Sequence, residues 1–163
     1  MIAGLFVVAY VVVGLGLAVR LYMGRAAQDE LRPGERVNIA ALRDPIPQNA
    51  FLACPPGYCA ASAAASPVFA LSVDRLVQDW DEMIAGQSGV VRVAAEPARW
   101  RLVFIQHTLL LRFPDIVTVE FVSIAPDRSS LAIYSRARYG RGDFGTNRRR
   151  VLRWLSLLTR IAL

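Results

Sequence analysis

Arg99–Tyr139 reads RWRLVFIQHTLLLRFPDIVTVEFVSIAPDRSSLAIYSRARY. Val, Ile, Phe and Tyr crowd it in three runs: RWRLVFIQHTLLL (Arg99–Leu111), DIVTVEFVSI (Asp115–Ile124) and SSLAIYSRARY (Ser129–Tyr139). Pro114-Asp115 and Pro126-Asp127 punctuate them, and β-branched or aromatic runs bounded by such residues read as strands joined by turns. A fourth run, VVRVA (Val90–Ala94), precedes them across Glu96-Pro97. The gaps are too short for helices, so consecutive strands must return antiparallel; a parallel pair needs a long crossover.

On either side the apolar period becomes helical. SVDRLVQDWDEMIAG (Ser72–Gly86) spaces Val73, Leu76, Val77, Trp80, Met83 and Ile84 along one face, with Ser72 as N-cap and Gly86 near the stop. From Asn147 to about Ala162 a second amphipathic helix is expected, N-capped by Asn147, with Val151, Leu152, Trp154, Leu155, Leu158 and Ile161 on its buried side. Residues 66–163 are thus predicted to form an α+β domain: helix, four-stranded antiparallel sheet, C-terminal helix, with the helices packed on one sheet face.

The chain ahead of this domain has a different texture. Residues 24–65 lack a sustained period and carry prolines at 33, 45, 47, 55 and 56, which predicts an extended tether. Met1–Val19 has no charged residue; as a helix it would span about 28 Å, against a bilayer core of about 30 Å. Arg20, Tyr22 and Arg25 would suit the headgroup layer. No basic residue precedes the apolar run, which favours a retained transmembrane anchor at 1–23 over a cleaved signal. The expectation is a single-pass protein of a bacterial inner membrane that meets membrane lipid through this helix.

Within the tether, ACPPGYCA (Ala53–Ala60) places Cys54 and Cys59 around Pro55-Pro56-Gly57. The turn residues favour a structural disulfide, which persists only in an oxidising compartment. Two independent thiols, or a metal or redox pair, are the competing readings. With His107 as the only histidine, nothing in the spacing recommends a metal site, and no metal or cofactor is expected. Topology signals conflict: arginines after the anchor place the domain in the cytoplasm, whereas the cysteine pair places it in the periplasm, the preferred side.

All 19 basic residues are arginine, against 13 acids, for a net charge of +6. They concentrate in SRARYGRGDFGTNRRRVLRWL (Ser135–Leu155); Asp143 is the one acid between Arg136 and Arg160. Arg148, Arg149 and Arg150 would fall in the first turn of the last helix, where exposed cations oppose the macrodipole at about 0.3–1 kcal/mol each. One reading is structural: a polar cluster of Arg112, Asp115, Ser135, Arg136, Asp143, Asn147 and Arg150 that neutralises itself. The other is functional: Arg138, Arg141, Arg148, Arg149 and Arg153 present charge to an anion. Nucleic acid is disfavoured, because the patch is short.

The segments NAFLACPPGYC, SPVF, RFPD and SRARYGRGDFGTNRRRVLRWL together resemble a bacterial domain-of-unknown-function family, the one numbered fourteen ninety-nine. The resemblance runs from Asn49 to Leu155. It rests on Asn49, Cys54 and Pro55, on Arg112, Phe113, Pro114 and Asp115, and on Ser135, Arg136, Arg138, Gly140, Asp143, Gly145, Asn147, Arg148 and Arg150. Thr146 stands where a small aliphatic residue is usual, and His107 where arginine is expected. The resemblance implies no activity; it implies the fold and, through members with an N-terminal membrane segment or export signal, an exported domain.

No Gly-x-Ser-x-Gly elbow, His-Glu-x-x-His helix or lysine-ended phosphate loop is present. His107, Asp115 and Ser135 make a triad only on paper. The reading reached is a non-enzymatic, membrane-anchored envelope protein with a binding or assembly role. Its arginine surface would engage an acidic protein, a membrane protein complex or anionic lipid. The alternative is a small-anion sensor, or an enzyme, that uses the Arg136–Arg150 cluster as a pocket.

Overall fold

In the computed structural model, residues 10–18, 30–61, 63–108 and 112–162 are described. The elements in chain order are α1, helical over 10–18, β1 (Ala50–Cys54), β2 (Ala64–Ala65), α2 (Val73–Ala85), β3 (Val90–Glu96), β4 (Arg101–His107), β5 (Pro114–Ala125), β6 (Arg128–Ala137) and α3 (Thr146–Ile161). Strands β3 to β6 form an antiparallel meander, and β5 and β6 turn tightly across Pro126-Asp127, where Ala125 pairs with Arg128.

The sheet does not stop at four strands. Its order is β2-β1-β6-β5-β4-β3: β1 adds antiparallel to β6, and β2 adds parallel to β1. The expected four-stranded antiparallel sheet is therefore corrected to a six-stranded mixed one. Both extra strands come from the stretch expected as a tether. AFLAC is short and wholly apolar, and pairing it with β6 covers an edge that would otherwise expose backbone donors and acceptors.

Strand alternation sends side chains to two faces, and both are buried. Leu102, Phe104, Val117, Val119, Leu131 and Ile133 face α2 and α3. Trp80 of α2 meets Trp154 of α3 and Phe121 of β5 edge to face, with centroids 5.9 Å apart in both pairs. Ser72 caps α2 by accepting from the Arg75 amide. The opposite face holds Val103, Ile105, Ile116, Ala132 and Tyr134. It is covered by Leu31, Val37, Ile39 and Leu42, so 30–46 forms a third layer of the fold. Ile39 is fully buried there, and burying a side chain of that size contributes about 1.5–3 kcal/mol.

The expected transmembrane helix is also corrected. Among the described residues no helix is long and apolar enough to cross a membrane. Of the segment 1–23 only residues 10–18 are described, and the remainder lies outside the described residues.

Cys54 and Cys59 form a disulfide, with Cα atoms 6.1 Å apart, at the end of β1. The Pro55–Tyr58 turn closes with the Tyr58 amide donating to the Pro55 carbonyl. Of the three readings, the structural disulfide is the one observed.

Candidate functional site

Asp143 organises the loop 138–145 that leads from β6 into α3. Its Oδ1 accepts from the Gly145 amide at 3.0 Å, and its Oδ2 from the Asn147 amide at 2.7 Å. A carboxylate here satisfies orphan helix amides and opposes the cost of the first-turn arginines. The expected N-cap, Asn147, lies two residues too late. Gly145, at φ 74°, is the N-cap residue and Asp143 supplies the capping oxygens, so Asn147 is free to turn inward.

Asn147 is fully buried and spends its whole amide. Its Nδ2 donates to the Asn49 carbonyl at 3.0 Å and to Asp143 Oδ2 at 2.8 Å. Its Oδ1 accepts from Ser135 Oγ at 2.6 Å and from Arg150 Nη1 at 2.5 Å. Arg150 also donates to Ser135 Oγ at 2.9 Å and pairs with Asp115 on β5. Burial pushes the Asp115 carboxyl above its ordinary range more than Arg150, by charge and hydrogen bond, pulls it down; Asp143 adds to the rise and His107 opposes it. Helix, loop, β1, β5 and β6 are thereby tied at one point.

Five members of the expected polar cluster meet here: Asp115, Ser135, Asp143, Asn147 and Arg150. Arg112 and Arg136 do not join them. Arg112 sits at φ 53° in the β4–β5 loop, its carbonyl oxygen 3.3 Å from His107 Nδ1. Arg136 follows Ser135 by one residue, and strand alternation sends it to the other face, where its charge acts on Glu35 and Tyr134. The paper triad is not assembled, since Ser135 gives its proton to an amide oxygen.

The five arginines expected as one charged surface divide in the same way. Arg138 is buried against Glu35, with N–O distances of 2.7 and 2.8 Å, and also donates to the Glu30 carbonyl. Burial opposes the charge on Glu35, but the Arg138 hydrogen bonds, the Arg32 amide and the charges of Arg138 and Arg136 outweigh it, holding the carboxyl below its ordinary value. Arg138 therefore belongs to the fold, not to a docking surface. Arg141, Arg148, Arg149 and Arg153 are exposed. Arg148 lies 5.9 Å over the Phe51 ring, Arg149 donates to the Phe144 carbonyl at 2.8 Å, and Arg153 donates to the Gln87 side chain. Those partners are neutral, and among the described residues none of the four arginines pairs with a carboxylate.

Two cavities flank this arginine face and meet at Thr108 and Thr146. One, of about 460 Å³, has mainly apolar walls, including Phe113, Ala137, Tyr139 and Phe144. The other, of about 490 Å³, includes His107, Arg149, Arg150, Arg153 and Trp154. Among the described residues no group of three His, Cys, Asp or Glu side chains could hold a metal ion.

A second buried polar network escaped the sequence reading. Glu120 pairs with Arg101 at 2.8 Å, accepts from the Ile39 amide at 3.2 Å, and accepts from Tyr58 Oη at 2.9 Å. Burial and that carboxylate push the Tyr58 hydroxyl up to about 12. Arg101 and Glu120 are direct cross-strand partners, so the signal existed in the register. The sequence places helices on one sheet face only, and nothing in it marks a cover for the other.

Residues 59–158 match the family described as "Protein of unknown function (DUF1499)". The chain belongs to this family. The match includes Cys59, the whole polar cluster around Asn147 and α3 to Leu158; Asn49 and Cys54, part of the resemblance noted above, lie before it. No curated protein and no solved structure matches the DUF1499 chain.

Proposed function

We propose that this DUF1499 protein is a non-enzymatic binding module that engages an anionic partner through Arg141, Arg148, Arg149 and Arg153. One observation carries the reading: the acids near the first turns of α3 are consumed internally, and Arg148, Arg149 and Arg153 are left held only by neutral groups. Asp143 is spent as a cap and Asp115 on Arg150. A helix whose first turn is basic has accepted an electrostatic cost, and an external anion would repay it. The Cys54–Cys59 disulfide supports action in an oxidising compartment, outside the reducing cytoplasm.

The test uses immobilised poly-L-glutamate as the probe. Association should weaken steeply as salt rises, since exposed charges are screened within about 8–10 Å at physiological ionic strength. It should be lost in the Arg148→Ala/Arg149→Ala variant. Association that persists unchanged in that variant would refute the proposal. A second reading, a pocket for a small anion, draws on the cavity lined by Arg149, Arg150 and Arg153. It predicts that simple phosphate alone stabilises the protein saturably.

A further inference from the structure

Phe144 stands 97% exposed at φ 51°, in the left-handed region that bulky side chains rarely adopt. Nothing in the fold compensates this strain by burying the ring. Its carbonyl is held by Arg149, and the residue is among those that line the apolar cavity. Strain kept in place by its surroundings, beside a cavity, is the pattern of a functional position.

The two cavities have opposite character and adjoin at Thr108 and Thr146. Each is of the size that small-molecule sites occupy, about 300–1,000 Å³. Asp115 and Asp143 reach the apolar cavity, yet both already accept from donors of the chain, so neither is a vacant partner for a polar ligand there. An anionic group placed in that cavity would meet these two carboxylates. Placed in the adjoining cavity it would meet Arg149 and Arg153.

We infer that the two cavities form one amphipathic cleft for a single-chain anionic amphiphile, an acyl or alkyl chain ending in a phosphate or carboxylate. The chain lies in the apolar cavity between Phe113, Ala137 and Tyr139, and Phe144 folds over it, burying its ring. The head group crosses the Thr108–Thr146 boundary to Arg149 and Arg153, where guanidinium forks suit either oxyanion. This inference rests on the arginine reading above and specifies its ligand.

The experiment is calorimetric titration of the full chain with octyl, decyl and dodecyl phosphate below their micelle concentrations, with inorganic phosphate, laurate and neutral dodecyl maltoside alongside. Affinity should rise about fourfold per added methylene until the cavity is filled. Laurate should bind like dodecyl phosphate, and inorganic phosphate and the maltoside far more weakly. Gly142→Trp adds a bulky side chain at a residue that lines this cavity; a Cβ there meets no atom within 4 Å and φ is not in the left-handed region, so the backbone accepts a side chain. That variant should lose the chain-length dependence while still binding poly-L-glutamate. Equal affinity for all chain lengths, binding of inorganic phosphate as tight as dodecyl phosphate, or chain-length dependence that survives in Gly142→Trp would each overturn the cleft. Poly-L-glutamate binding that persists beside such a result leaves the arginine reading standing; loss of both removes both.

Discussion

Replacing Asn147 by alanine is the sharpest probe of how α3 is fixed to the sheet. The substitution leaves the backbone amide on Asp143 and removes four side-chain hydrogen bonds. Their losses are unequal. The Asn49 carbonyl still accepts from the Ala137 amide, and Asp143 keeps the Gly145 and Asn147 amides. Arg150 keeps Ser135 and Asp115. Ser135 Oγ, however, loses the acceptor for its proton in a fully buried position. A buried donor left unpaired costs about 1–3 kcal/mol, and a lost bond to a charged donor adds about 1.5–3 kcal/mol. With partial relaxation the expected loss is about 2–4 kcal/mol. Urea denaturation reads it directly: at a slope of about 2 kcal/mol/M the midpoint falls by about 1–2 M. A loss below about 0.5 kcal/mol, the ordinary range for surface substitutions, would refute the claim that Asn147 is the tie.

Two further outcomes follow from the other face and from the disulfide. Glu35 has a carboxyl held below its ordinary value of 4.5, so its contribution to stability is fully present above that pH and is lost as pH falls through the lower, folded-state value. Glu35→Gln should flatten the acid limb of a stability-versus-pH curve, measured by urea midpoints below pH 5; an unchanged limb would contradict it. The Cys54→Ser/Cys59→Ser variant should lose about 2 kcal/mol, the chain-entropy value for so short a loop. Its urea midpoint should match that of the reduced native chain.

Legibility in the sequence followed local periodicity. The meander of β3–β6 and both long helices were readable because each is a long run of one character, and the strand start at Pro114 and the turn at Pro126 are chemically marked. β1 and β2 were not. AFLAC is too short to show a period, and its strand character comes from pairing with β6, a contact across 80 or more positions. The covering layer at 30–46 was hidden for the same reason: prolines and polar residues there announce irregular backbone, and Ile39 becomes core only because the second sheet face needs a cover. The same omission shaped the site. With helices expected on one sheet face and no cover on the other, Arg138 falls in the charged surface, whereas the covered face gives it a buried partner in Glu35. Asp143, Asn147 and Arg150 were selected by residue type and spacing, but the cap moved from Asn147 to Asp143 because loop geometry, not composition, decides which oxygen reaches the first amides.

Arg138 holds the fold, and Arg148 and Arg149 are proposed to meet an anionic partner; one paired measurement tests that division. Urea midpoint and poly-L-glutamate association are determined for Arg138→Ala and for Arg148→Ala/Arg149→Ala. Removing Arg138 should leave Glu35 buried without its partner and cost about 3–5 kcal/mol. Removing Arg148 and Arg149 should leave the midpoint at or above the native value, because first-turn cations oppose the macrodipole, and should abolish association. A double variant that unfolds as readily as Arg138→Ala, or that still binds the polyanion as the native chain does, would contradict the account.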